Sequence, residues 1–238
     1  MMKFKTVLKK SFQSKVIFVF LIGWLIPQFG FGQEILNQTD ANEKKTGLWK
    51  GFHEDGSLRY EGSFRNDKPQ GVFRYYDKSG RLKATNSFDD TGRKAWHKAY
   101  DSTGFLLAEG IYLNQKKDSI WTFYSATDSA VIAREAYQFD KKHGLSVTYY
   151  PQSGQPAEEL HYENGKLQGA WNKYFDDGTL MTSGFYENGK LNGPFTSYHP
   201  NGQINVKGQY EHDLQHGVWE FFDEDGNLIN TEKYQMRE

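Results

Sequence analysis

From Gly47 onward, apolar and polar positions alternate in short runs of strand length. Leu58, Tyr60, Gly62 and Phe64 occupy every second place, with Arg59, Glu61 and Ser63 between them. The spacing returns at Leu106, Ala108, Gly110 and Tyr112, at Leu180, Thr182, Gly184 and Tyr186, and at Ile204, Val206, Gly208 and Tyr210. A period of two predicts a strand with one apolar and one wet face. Ahead of each run stands a second element, Gly-x-aromatic-x-x-aromatic. It reads GLWKGF from Gly47, GVFRYY from Gly71, GAWNKY from Gly169, GPFTSY from Gly193 and GVWEFF from Gly217. Looser copies are AWHKAY from Ala95, SIWTFY from Ser119 and GLSVTYY from Gly144.

Between the two elements lies a turn that ends on glycine, at Gly56, Gly80, Gly178, Gly202 and Gly226. Asp, Asn or Ser before the glycine supplies local hydrogen bonds, and glycine accepts the left-handed backbone. Element, turn and run make one β-hairpin. The hairpins begin at residues 47, 71, 95, 119, 144, 169, 193 and 217, so the period is 24 or 25 residues. A fixed period in this range marks a repeat architecture. The expectation is an all-β chain of eight tandem hairpins forming one elongated, twisted antiparallel meander. About sixteen strands at ~4.8 Å each would extend roughly 75 Å. The near-identical phrases YENGKLQGAW (from Tyr162) and YENGKLNGPF (from Tyr186) carry Asn-Gly turns and join one hairpin to the next.

A glycine within a strand marks close approach of another group. Gly62, Gly110, Gly184 and Gly208 are therefore expected to lie beneath an aromatic ring of an adjacent strand, such as Trp171 or Phe195. Trp49, Trp96, Trp121, Trp171 and Trp219 are assigned to one repeated core position. Three residues after the first aromatic of a unit, Phe52, Tyr76, Tyr174, Tyr198 and Phe222 would face the other way on a regular strand. Either a bulge brings both aromatics to one side, or both faces carry them, which leaves an apolar strip of the kind that marks interaction surfaces. These five are the candidate interaction aromatics.

The first 46 residues depart from this pattern. Lys3, Lys5, Lys9, Lys10 and Lys15 precede the apolar run Val16–Ile26 and a glycine-containing stretch, so residues 1–32 read as a secretory signal peptide. Residues 33–46 are polar and aperiodic and read as a linker or frayed arm, with the repeat domain over 47–238. This start implies export to the periplasm, cell surface or medium, with membrane contact only in passing. Of 29 basic and 30 acidic residues, removal of the five lysines leaves 24 against 30, or about −6. A negative surface disfavours nucleic acid and anionic lipid. There is no cysteine, which excludes disulfides, thiolate metal sites and cysteine nucleophiles.

The stretch YEGSFRNDKPQGVF from Tyr60, with the pairs His143-Gly144 and His216-Gly217, resembles the MORN repeat. An aromatic two residues after the glycine, as at Trp49, Phe73, Trp171, Phe195 and Trp219, is similar to the variant found in bacterial YwqK-type antitoxins. That resemblance implies a protein that neutralises a toxin by binding it, or an immunity role against an exported toxin.

Candidate chemistry is sparse. His212 and His216 stand four apart but in a turn, where that spacing does not make a metal site. Asp176-Asp177 and Asp223-Glu224-Asp225 recur at the same turn of several units, as turn chemistry requires. No nucleophile elbow, phosphate-binding loop or HExxH occurs. No catalysis, metal or cofactor is expected. The expected partner is a protein bound on the sheet face; the rival is a cell-wall glycan stacked on the repeated aromatics.

Overall fold

In a computed structural model of the chain, residues 35–235 are described; the segment assigned to export lies outside them. The described residues contain no helix and form one open sheet of eighteen strands. A two-residue strand, β1 (Gln38–Thr39), comes first. The leading strands of the eight hairpins are β2 (Lys45–Phe52), β4 (Lys68–Tyr76), β6 (Lys94–Tyr100), β8 (Lys116–Tyr124), β10 (Lys141–Tyr149), β12 (Lys166–Tyr174), the interrupted pair β14 (Lys190–Leu191) and β15 (Gly193–Tyr198), and β17 (Leu214–Phe222). Their returning strands are β3 (Leu58–Arg65), β5 (Leu82–Phe88), β7 (Leu106–Leu113), β9 (Val131–Gln138), β11 (Pro156–Glu163), β13 (Leu180–Glu187), β16 (Ile204–Glu211) and β18 (Leu228–Tyr234). Each pairs antiparallel with its sequence neighbours, which is the expected meander.

Two kinds of turn alternate along the two edges. Within a hairpin, His53 N donates to Ser57 O at 2.8 Å and Gly56 N returns to His53 O at 3.0 Å; Asp77, Asp101, Phe175, His199 and Asp223 open equivalent turns. Between hairpins, six of seven joins are two-residue turns: Asn66-Asp67, Asn114-Gln115, Phe139-Asp140, Asn164-Gly165, Asn188-Gly189 and His212-Asp213. Both residues have φ > 0, for example 51° and 87° at Asn164-Gly165, which matches the right-handed twist of the flanking strands. The joins are stitched to one another. Asp67 N donates to Lys45 O, Asp140 N to Lys117 O, Gly165 N to Lys142 O and Asp213 N to Leu191 O. Where Asp stands second in the turn, its carboxylate also accepts the amide of Lys45, Lys117 or Leu191 at 2.7–2.8 Å. The repeated phrase therefore closes a hairpin and also bonds to the preceding join.

Packing in a single layer has to come from rings lying flat on the sheet. A Cβ placed on Gly62 would fall 2.4 Å from the Phe73 ring; on Gly110 or Gly208 it would fall 2.3 Å from Trp121 or Trp219. At Gly184 the ring is Trp171, at 2.9 Å. Each strand glycine is thus the floor under an indole or phenyl ring, as the sequence predicted. Edge-to-face partners complete the ladder: Tyr112 and Trp121 at 4.9 Å, Phe195 and Tyr210 at 5.4 Å, Tyr210 and Trp219 at 5.1 Å. Phe73, Trp121 and Trp219 are 2–4% exposed.

Two expectations need correction. Trp96 is not part of the core row: it is 47% exposed, and its neighbour His97 pairs with Asn86, which pairs with Phe73. The leading motif of this unit begins at Ala95, so its third place belongs to His97, and Trp96 falls on the opposite face. The linker also has a structured end. Asn37 N donates to Leu48 O, while its side chain exchanges bonds with Lys50 (Oδ1 from the amide at 2.7 Å, Nδ2 to the carbonyl at 3.0 Å). With β1 paired to Thr46 and Lys45, this segment covers the free edge of β2.

Candidate functional site: two faces of one sheet

The face opposite the rings carries alternating charges and aromatics. Lys50 pairs with Glu61 at 3.8 Å, Lys98 with Glu109 at 3.6 Å and Lys207 with Glu220 at 2.8 Å. Tyr76 donates its hydroxyl to Glu61 at 2.9 Å, and Tyr174 donates to Glu159 at 2.8 Å. Lys207 Nζ lies 5.2 Å from the centre of the Phe222 ring. Glu61 and Lys207 flank the ring-bearing Gly62 and Gly208, so they and their partners point away from the ladder. Both faces therefore carry aromatics. A register shift does occur just before each of these residues, but it leaves Tyr76, Tyr174 and Phe222 with the charges.

Those contacts reduce the reactivity and freedom of the tyrosines. Tyr124, in the equivalent place, has its hydroxyl pushed up to about 12 by burial and by its bond to Glu109. Burial and the Glu61 bond likewise raise Tyr76. Of the five candidate aromatics, Phe52 is 52% exposed and the other four are half-buried. They sit on β2, β4, β12, β15 and β17, so they form two groups of neighbours rather than one site.

A second set on the same face escaped the sequence reading. In five of the eight hairpins the residue after the motif-opening position is a large, exposed apolar one: Val72 (42% exposed), Trp96, Ile120 (60%), Leu145 (42%) and Val218 (51%). The register links them across the sheet. Ser87 pairs with both Val72 and Trp96, and Trp96 pairs with Ile111. Ile120 pairs with Ala136, Leu145 with His161, and Ala170 with the exposed Phe185. Exposed apolar residues thus recur on this face from hairpin to hairpin, with Ser87, Asp118 and His161 lying among them along the register. The period-two pattern contained this recurrence, but at Val72, Ile120 and Val218 it hides behind the larger aromatic one place later.

The histidines and acids serve turns. His53 Nε2 donates to Tyr76 O at 3.1 Å, and His199 Nε2 to Phe222 O at 3.0 Å, each reaching the next hairpin. His212 occupies a join turn with φ of 52°, and His216 Nδ1 lies 3.8 Å from Glu211. Asp77 accepts from Ser79 and Arg81, and these bonds hold its carboxyl well below the usual range. Asp177 and Asp223 are lowered by the same kind of turn bonds. Among the described residues no group of three potential metal ligands comes together.

The ring face carries a groove of about 640 Å³ between the first and third hairpins, walled by Phe73, Phe88 and Tyr112 with Asn86 and His97 among its lining.

Among solved structures, the crystal structure of TarM shares 14% identity over 41% of this chain and 19% of its own, with a TM-score of 0.32. The crystal structure of TcdB2-TccC3-TEV shares 10% identity over 76% of this chain and 15% of its own, with a TM-score of 0.14. This chain therefore spans less than a fifth of either. No curated protein matches it in sequence. Residues 45–66, 191–212 and 215–236 match the MORN repeat variant, and each match covers one hairpin. The first, seventh and eighth of the eight hairpins are thus the ones that match the MORN repeat variant in sequence.

Proposed function

We propose that this is an exported, non-catalytic binding protein that holds a partner protein against the face bearing Val72, Trp96, Ile120, Leu145, Phe185 and Val218. The observation that carries the reading is the recurrence of a large exposed apolar side chain at the same place in five hairpins, on one face. Clusters of exposed large apolar residues rimmed by charges mark interaction surfaces. One residue every two strands gives a spacing of ~9.6 Å, a regular track suited to an extended contact. The resemblance to antitoxin repeats supports a neutralising or immunity role, in which capture of a toxin is the whole activity.

The test is co-purification of the mature protein from its own envelope fraction, beside an Ile120→Glu/Val218→Glu variant. Both side chains are more than half exposed, so folding should persist. A defined protein retained by the parent and lost from the variant is the expected result. Retention on insoluble peptidoglycan with no protein bound would replace this reading by the glycan one. Equal capture by parent and variant would exclude this face.

A further inference from the structure

The groove on the ring face lies where a ring and its glycine floor are replaced by two smaller polar side chains. In the regular units a strand glycine receives a ring: Phe73 on Gly62, Trp121 on Gly110, Trp219 on Gly208. Between the second and third hairpins the glycine place on β5 is Asn86 and the ring place on β6 is His97, and the two bond to each other (Nδ1 to Oδ1, 2.6 Å). Ala84 and Ala95 are small, and the neighbouring rings Phe73, Phe88 and Tyr112 remain as walls. The place where other units set a ring is part of an open groove of about 640 Å³, within the usual range of small-molecule sites.

We propose that this groove binds a small, uncharged aromatic molecule of indole or phenol size. The sheet itself shows the fit, since it fills equivalent spaces with its own rings at several other places. Edge-to-face pairs such as Phe73 with Phe88, 5.3 Å apart, show how the walls meet a ring. The polar pair gives direction. With Asn86 Oδ1 as acceptor, His97 carries its proton on Nδ1, which leaves Nε2 as an acceptor for a ligand N–H or O–H. Tyr75 is tied to Asn86 at 3.5 Å and adds a hydroxyl to the lining. The rim charges do not select an ion. Arg93 is exposed, and Asp67 is bonded to the Lys45 amide. Burial, aided by Lys117, lowers the His97 pKa and keeps the ring neutral at ordinary pH. This site is on the opposite face from the proposed partner track, so the two readings stand or fall separately.

Indole is the probe, titrated into the mature protein and followed by calorimetry and by the NMR signals of the histidine rings. Saturable binding, a shift of the His97 ring, and nuclear Overhauser contacts from indole to Phe88 and Tyr112 are expected. The variant Asn86→Gly/His97→Trp restores the regular pattern and should bind indole at least tenfold more weakly. Val218→Glu, on the other face, should leave indole binding unchanged. No saturable binding at millimolar indole, contacts only to other residues, or undiminished affinity in a folded double variant would each overturn the proposal. The wild-type contacts decide the matter if the double variant does not fold.

Discussion

The last three hairpins and the middle of the sheet solve the same packing problem differently. From Trp171 to Tyr234 the rings run without a break: Trp171, Phe195 and Trp219 are spaced 5.5–6.3 Å apart, with Tyr186, Tyr210 and Tyr234 set against them. Between Trp121 and Trp171 the same row reads Glu135, Ser146 and Leu160. There Glu135 is held by Lys142 Nζ at 2.7 Å and the Tyr137 hydroxyl at 2.5 Å. Lys117 lies over the Trp121 and Tyr137 rings, at 4.3 and 4.9 Å. A ring stacked on glycine gains buried apolar area at a smaller desolvation cost than a charge, although the Trp219 indole N–H is buried without a partner. An ion pair in that place gives back much of its attraction as lost hydration. Continuous aromatic packing should therefore make the C-terminal hairpins a stronger unit than the centre.

The largest test of this contrast is Trp219→Ala. The indole is 2% exposed and touches Phe195, Tyr210 and Tyr234, so its removal should cost ~3–5 kcal/mol. In a repeat array each unit leans only on its neighbours, so the loss should fall on the seventh and eighth hairpins. Native-state hydrogen exchange should show amides of β16 to β18 opening early while β2 to β5 stay protected. Uniform loss across the whole sheet would mean that the hairpins fold as one block.

Next in size is Gly110→Val. The new side chain would meet the Trp121 ring at a distance no real contact tolerates, and Trp121 is nearly buried. The expected cost is ~1–3 kcal/mol, more if the indole is expelled from the sheet. Urea unfolding measures it, and a drop in near-ultraviolet circular dichroism would report the displaced indole. Gly56→Ala tests a different requirement, because nothing lies within 4 Å and only its φ of 85° is at stake. Its cost should be nearer ~1 kcal/mol. Equal effects at the two sites would deny that ring contact is what Gly110 provides.

Much of this was legible in the chain. Hairpin count, period, join turns and the glycine floors follow from residues whose backbone needs are narrow. A glycine in a strand has few uses other than close approach, and Asn-Gly between alternating runs has few other than a tight turn. The errors came where side-chain identity outweighed position. The size of Trp96 suggests a core place, although counting from Ala95 puts His97 there. β1 was missed because Asn37 pairs through its side chain, which leaves no periodic trace. The outward row of Val72, Ile120 and Val218 was overlooked because a medium apolar residue beside a tryptophan draws no notice. The groove at His97 depends on what a unit lacks, and a departure from a repeat shows its consequence only when its neighbours are in place.

A third test concerns the charges that interrupt the ladder. Burial alone would raise the Glu135 carboxyl, but hydrogen bonds from Lys142 and Tyr137 and the charges of Lys142 and Lys117 outweigh it and hold it below the ordinary range. A depressed folded value means stability that is present above the unfolded value of ~4.3 and is lost as pH falls through the folded one. Melting temperatures taken from pH 6 down to pH 3 should therefore fall for the parent more steeply than for Glu135→Gln. Parallel curves would show that the carboxylate gains nothing from its partners.

The smallest effect should also have the opposite sign. Ser146 occupies the ring place of the fifth hairpin, is 7% exposed, and its hydroxyl has no hydrogen-bond partner. A buried hydroxyl left unpaired costs ~1–3 kcal/mol relative to its hydrated state, so Ser146→Ala removes a penalty and little packing. A rise of ~1 kcal/mol in unfolding free energy is expected, confined to β9 through β11 by hydrogen exchange. If the centre is weak because its row is polar, this single oxygen is its least useful member. A loss of stability on its removal would mean that an ordered water bonds it, and that the middle of the sheet is held by a hydrated network rather than left unfilled.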